Sequence, residues 1–242
     1  MTCRLIFAIC LNRPFTMQPD YLIGAINRLV FEWQKLGLAI DSRNHHAYQR
    51  ANGISEVTWG NDGYVLKDNA FSSLSEYCSL IENQQYSMLL ADGAFFQISY
   101  QIQRQEIISH RLCWYPPPIE LPEYFEPSEI VEIVLNKMSS GDLDDFKSRS
   151  PLRFDYAPSQ AAENHPHTHL HIGHEDCRIP VKSALSLRSF ISFIANNFYP
   201  DIAVYPKLHD EVATWFCDDN LTQLQKERFH MNIIPKNVFA TP

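Results

Sequence analysis

The chain has 242 residues, 45% of them hydrophobic and 20% charged, which is ordinary globular usage and long enough to bury a full core without staples. A formal net charge of −8 argues against a surface coated for nucleic acid, and 8 glycines beside 15 prolines leave no Walker-type or dinucleotide-type glycine loop. The six cysteines are scattered without a Cys-x-x-Cys pair, no apolar run approaches the ~18 residues of a membrane span, and Met1 to Phe15 lacks a cleavable leader pattern, so a cytoplasmic chain with reduced thiols is expected.

In chain order, Pro19 and Asp20 open a helix whose apolar positions, Leu22, Ile23, Ile26, Leu29, Val30, Trp33 and Leu36, recur at helical spacing. Gly37 is its stop. From Asp41 to Gly63 the chain is polar and rich in Asn, Ser and Gly, and reads as irregular. A second helix is expected over Ser73 to Ile81. Tyr86 to Leu90 reads as a strand, Asp92-Gly93 as a hairpin turn, and Phe96 to Gln103 as the clearest strand, since Phe96, Ile98, Tyr100 and Ile102 alternate with polar residues. Glu106 to Tyr115 follows, ended by Pro116-Pro117-Pro118, because proline cannot donate to a ladder.

Residues 116–127, rich in Pro and Glu, form a connector and a weak boundary in what reads as a single domain over 1–242. Glu129 to Met138 fits a short helix, Leu152 to Tyr156 and His167 to Ile172 two more strands, and Leu187 to Phe198 an amphipathic helix stopped by Tyr199-Pro200. Lys207 to Phe216 and Leu221 to Phe229 are expected as C-terminal helices. The sum is an α+β fold, a mostly antiparallel sheet of about five strands packed by N- and C-terminal helices.

The chemistry concentrates between His165 and His174, where five of the ten histidines fall within ten residues. Four of them, His165, His167, His169 and His171, occupy alternate positions, which share one face if the segment is a strand. Alternation in Leu152 to Tyr156 likewise places Arg153 and Asp155 on one face. If the two strands pair, a guanidinium, a carboxylate and several imidazoles meet on one surface.

Such a surface suits three chemistries. His167, His169 and His171 are the candidate ligands for one divalent metal ion, completed by a carboxylate such as Asp155 or Glu175. Without a metal, Arg153 would hold a phosphate, Asp155 would orient an imidazole, and two histidines would act as base and acid. Tyr156, His165 and Arg178 flank this set as candidate substrate-binding residues. Covalent catalysis through His-x-His-x-His resembles the histidine-triad nucleotide hydrolases, but Arg153 to Asn164 does not match that family. A cupin-like reading, His169-x-His171 followed by Glu175, lacks the flanking glycines. The plain structural alternatives are a polar sheet edge, or a set of imidazoles bonded to backbone carbonyls.

Arg153-Phe-Asp-Tyr-Ala-Pro, then His165-Pro-His-Thr-His-Leu-His-Ile, then Cys177-Arg-Ile-Pro-Val, then Phe190-Ile-Ser-Phe-Ile and Phe198-Tyr-Pro together resemble the DUF2290 group of uncharacterised bacterial proteins. That resemblance is strongest over about fifty residues and brings no established activity. The order of an Arg-x-Asp strand, a Pro loop and a histidine strand is also similar, more loosely, to small toxins of the TumE type, which are much shorter. That likeness implies an RNA or nucleotide target, a protein partner encoded nearby, and a bacterial conflict or phage-defence setting.

Two functions follow. One is a phosphodiesterase or ribonuclease-like effector using Arg153, Asp155, His167, His169 and His171. The other is a non-catalytic subunit of a larger complex whose histidine strand is structural or metal-binding. An enzyme places the histidines in a concave pocket; a subunit places them on a flat face or packs them internally.

Overall fold

A computed structural model describes residues 16–60, 73–141, 143–201, 215 and 218–233. Helix α1 spans Pro19–Lys35, with proline in its first turn, where a missing N–H costs nothing. Its buried side chains are Leu22, Ala25, Ile26, Leu29 and Trp33; of the stripe expected from the sequence, Ile23 and Val30 are half-buried and Leu36, past the helix end, is exposed. Gly37, at φ 70°, supplies the left-handed residue that ends it. Helices α2 (Leu74–Glu82) and α4 (Leu187–Phe198) start on serine caps, Ser73 accepting from the Glu76 amide and Ser186 from the Ser189 amide. Helix α3 (Ile130–Ser140) ends on left-handed Gly141. The expected helix over Leu221 to Phe229 is only α5 (Gln223–Glu227), opened by a Thr222/Gln225 capping box. The expected helix over Lys207 to Phe216 lies almost wholly outside the described residues.

Among the described residues nine strands, not about five, form one antiparallel sheet. They are β1 (Ala39–Ser42), β2 (His46–Gln49), β3 (Ser55–Thr58), β4 (Met88–Leu90), β5 (Phe95–Gln103), β6 (Glu106–Tyr115), β7 (Leu152–Tyr156), β8 (Thr168–Ile172) and β9 (His174–Pro180). The order is β1-β4-β5-β6-β7-β8-β9, with β3 also pairing β5 and β2 pairing β3. The four additional strands are short or polar. Three of them, β1, β2 and β3, lie wholly or partly in the stretch from Asp41 to Gly63, which the sequence offered as irregular. Strands such as His46-Ala-Tyr-Gln and His174-Glu-Asp-Cys-Arg carry no apolar alternation, and only their partners define them. Strand β6 pairs directly with β7, so one sheet runs across the Pro-rich connector.

The β4–β5 hairpin turns at Asp92-Gly93 as expected, with Gly93 at φ 85°. The backbone requires glycine there, and a Cβ would also stand 2.3 Å from Leu121 Cδ1 and make that side chain shift.

The two faces of the sheet differ. On one, Phe96, Ile98, Tyr100, Leu112, Phe154 and Leu170 pack under α1 and α4. Phe154 is fully buried, edge-on to Phe190 and Phe193 at 6.0 and 5.5 Å. On the other, α2 and α3 cover only one end, where Tyr77, Phe95, Cys113 and Tyr115 form a second cluster. The remainder of that face is polar and carries the site.

Candidate metal centre

Cross-strand register builds the site. Arg153 lies opposite His171 and Asp155 opposite His169, so the expected pairing of the Arg/Asp strand with the histidine strand is found. The register extends into β6, where Cys113 faces Arg153 and Arg111 faces Asp155, and into β5, where Gln97 faces Cys113 and Ser99 faces Arg111. Two polar rungs therefore cross four strands, Gln97–Cys113–Arg153–His171 and Ser99–Arg111–Asp155–His169.

Asp155, His169 and His171 each offer a ligand atom within 4.8 Å of the others, and all three are buried. They form a cluster geometrically suited to a divalent metal. His171 Nε2 stands 3.4 Å from Asp155 Oδ2. Two ligands bound tetrahedrally at zinc distances stand about 3.3 Å from each other, so this pair already spans such an edge. Asp155 Oδ2 also meets Arg153 Nε at 3.1 Å, which fixes the carboxylate. Its Oδ1 is buried and takes no hydrogen bond among the described residues; Arg111 Nε lies 3.8 Å away. His169 Nδ1 lies 2.9 Å from the Pro166 carbonyl oxygen. A carbonyl only accepts, so Nδ1 carries the proton and Nε2 keeps its lone pair. That backbone contact is the usual way a ligating imidazole is held in tautomer and orientation.

The electrostatics follow from burial and charge. Burial alone would raise the Asp155 carboxyl, but the His171 ring and the Arg153 and Arg111 guanidiniums overcome it and hold the group well below the usual carboxylate range. Burial holds the His169 imidazole down to about 4 against the upward pull of Asp155. Behind Arg153 lies Glu76, 4% exposed, with neither oxygen hydrogen-bonded among the described residues; burial raises it to about 7 against the opposing charge of Arg153.

The remaining sequence candidates lie around this core. Strand β8 begins at Thr168, so His165 and His167 precede it. His165 still reaches the cluster, its ring 4.6 Å from that of His169, and its imidazole is held down by burial and then by Arg178. His167 is not brought to the cluster. It lines a separate groove with Asp176, Arg178 and Arg228, so the atoms suited to one ion come from His169, His171 and Asp155, without His167. Arg178 sits in that groove, 3.3 Å from Asp176. Tyr156 ends β7 with its ring 5.7 Å from His110. Glu175 is outside the cluster. Arg111 and Glu76 were missed. Arg111 had a signal, since alternation in Glu106 to Tyr115 puts it beside Ser109 and Cys113; Glu76 had none, because a lone acid in a helix normally faces solvent.

Asp155 and His169 line a pocket of about 330 Å³ that also takes in Ser99, Gln101, Ser109 and Arg111. The molecule is thus an α+β protein with a buried two-histidine, one-carboxylate cluster beside a polar pocket. Among the described residues no helix is long and apolar enough to cross a membrane. The chain belongs to the family described as uncharacterized conserved protein (DUF2290), whose model matches residues 38–233. No curated protein matches the chain, and no solved structure does; the looser likeness to TumE-type toxins finds no support.

Proposed function

We propose that the protein is a metal-dependent phosphoester hydrolase acting on an RNA or nucleotide phosphodiester, with Asp155, His169 and His171 as the ligands. The observation that carries this reading is the cluster of one Asp155 carboxylate oxygen and two imidazole nitrogens within 4.8 Å of one another, all buried, with Asp155 Oδ1 taking no hydrogen bond among the described residues. A buried carboxylate oxygen without a hydrogen bond is costly, and the Arg111 guanidinium at 3.8 Å is too far to donate one, so the oxygen keeps a lone pair for a cation. Three protein donors leave a coordination position open, as catalytic sites do, whereas structural zinc sites close with four.

A bound divalent ion would supply an activated water and polarise a phosphoryl oxygen. Arg153 fixes Asp155 through Oδ2, and the Pro166 carbonyl fixes His169, so both ligands are held before any ion arrives. Arg111, about half exposed at the pocket wall, is the group to hold the phosphate. A concave pocket lined by Asp155 and His169 favours an enzyme over a subunit whose histidines lie flat.

A second reading rests on the two guanidiniums within 3.8 Å of Asp155, which oppose a dication. In it no metal binds, and His171, oriented by Asp155, exchanges protons with His169 at a phosphodiester.

Hydrolysis of a chromogenic phosphodiester and of RNA by metal-loaded protein tests both readings. Metal-dependent turnover lost in Asp155→Asn supports the first. Turnover that survives chelation transfers the function to the second. No turnover under either condition removes the enzyme.

A further inference from the structure

The polar rungs continue beyond the metal-site residues. Glu56 pairs with Gln101 across β3 and β5, and Gln101 pairs with Ser109 across β5 and β6. Ser109 Oγ donates to Gln101 Oε1 at 3.0 Å, and Arg50 Nε holds one Glu56 oxygen at 2.7 Å. This third rung, with Ser99 and Arg111, lines the same pocket as Asp155 and His169. The turn from Ala157 to Gln160 forms another of its walls.

We propose that this pocket binds a single phosphorylated, hydroxyl-bearing unit, a nucleoside phosphate or sugar phosphate, rather than a continuous nucleic-acid strand. The phosphate sits on Arg111 beside the metal ligands, and the hydroxyls lie against Gln101, Ser109 and Glu56. The proposal rests on the hydrolase reading only for which bond is cut; the binding itself stands apart.

Three observations argue for it. The volume, about 330 Å³, is at the lower end of small-molecule sites. Among the described residues lining the pocket, Arg111 is the one Lys or Arg side chain, whereas strand binding relies on several neutralised phosphates along a basic track. The far end carries the Glu56 carboxylate, one oxygen of which is held by Arg50, so that end offers hydroxyls an acceptor and lines the pocket with no second cation for a continuing phosphate chain. Hydroxyl and amide groups on regular strands form a preorganised set for a polyhydroxylated ligand, since strand positions are held more firmly than loop positions.

The test is calorimetric titration of the full protein with adenosine 5′-monophosphate, ribose 5-phosphate, adenosine, and an end-blocked single-stranded RNA, each at low and high salt. Binding of the monophosphate or the sugar phosphate is expected, weakened about tenfold in the Gln101→Ala/Ser109→Ala double variant, the loss of about 1.4 kcal/mol that two neutral hydrogen bonds supply. Arg111→Ala, at a half-exposed position that tolerates change, is expected to weaken both phosphates at least as much and to leave adenosine unaffected. Ribose 5-phosphate binding as tightly as the nucleotide identifies a sugar-phosphate site; a preference for the nucleotide identifies a nucleoside site. Monophosphate binding that neither variant alters overturns the proposal. So does tight, steeply salt-dependent binding of the blocked RNA without monophosphate binding. Internal RNA cleavage without monophosphate binding would sink this proposal and keep the hydrolase; monophosphate binding with no phosphoester cut would do the reverse.

Discussion

The two halves of the histidine run sit in different physical settings although the sequence writes them alike. His169 and His171 lie inside β8, buried and facing Arg153 and Asp155 across a regular ladder. His165 and His167 lie in the approach to that strand, half-buried, with His167 turned to a separate groove. Alternation gives a shared face only while the backbone stays extended, and the ladder starts at Thr168. Position in the ladder sets His169 and His171 opposite the Arg153/Asp155 strand, while His165 reaches the cluster only through the His169 ring and His167 does not reach it.

The largest effect is expected where the buried half is broken at its charge. Asp155→Ala removes the carboxylate that Arg153 meets at 3.1 Å and so breaks a buried ion pair, which costs about 3–5 kcal/mol, and it abolishes metal binding. Denaturant unfolding checks the first part and metal titration the second.

His169→Ala should remain closer to native stability, yet lose metal affinity by more than about 100-fold and lose phosphoester turnover with it. Competition with a chromogenic chelator measures the affinity. Retained metal with lost turnover would make His169 an acid–base group and favour the metal-free chemistry.

Acid should unfold the protein through imidazoles outside the cluster. His45 and His110 are both held down to about 4 by burial, His45 against Ser87 and His110 accepting the Leu185 amide at 2.8 Å. Each is neutral in the fold, whereas the unfolded imidazole titrates near 6.5. Their contribution is full above about pH 6.5 and falls as pH drops through 4, by up to about 3 kcal/mol apiece. Unfolding midpoints across that range should fall with acid, and His110→Gln should flatten the slope.

His167→Ala marks the smallest effect, within about 0.5 kcal/mol of wild type and with metal retained, since it removes a half-buried side chain at a groove. Loss of metal in this variant would erase the distinction between the halves.

Much of the core was legible because it alternates or repeats. The stripe of α1, the Phe96 to Ile102 strand and the Arg153/Asp155 face each follow from spacing. Strands β2 and β9 were not legible, since His46 to Gln49 and His174 to Pro180 take their shape from partners and not from an apolar pattern. The same cause hid the pocket. Gln101, Ser109 and Arg111 read individually as the solvent side of two strands, and only the register of β3, β5, β6 and β7 brings them against Asp155. The periodicity of the histidines runs past the ladder, which puts the expected strand start one residue early, at His167 instead of Thr168.

Elemental analysis of the purified, metal-replete protein beside folded His167→Ala and His169→Ala variants tests the central claim most directly. The account predicts close to one transition-metal ion per chain in wild type and in His167→Ala, and none in His169→Ala. Absence of metal from all three, or its loss from His167→Ala alone, would contradict a centre built from Asp155, His169 and His171.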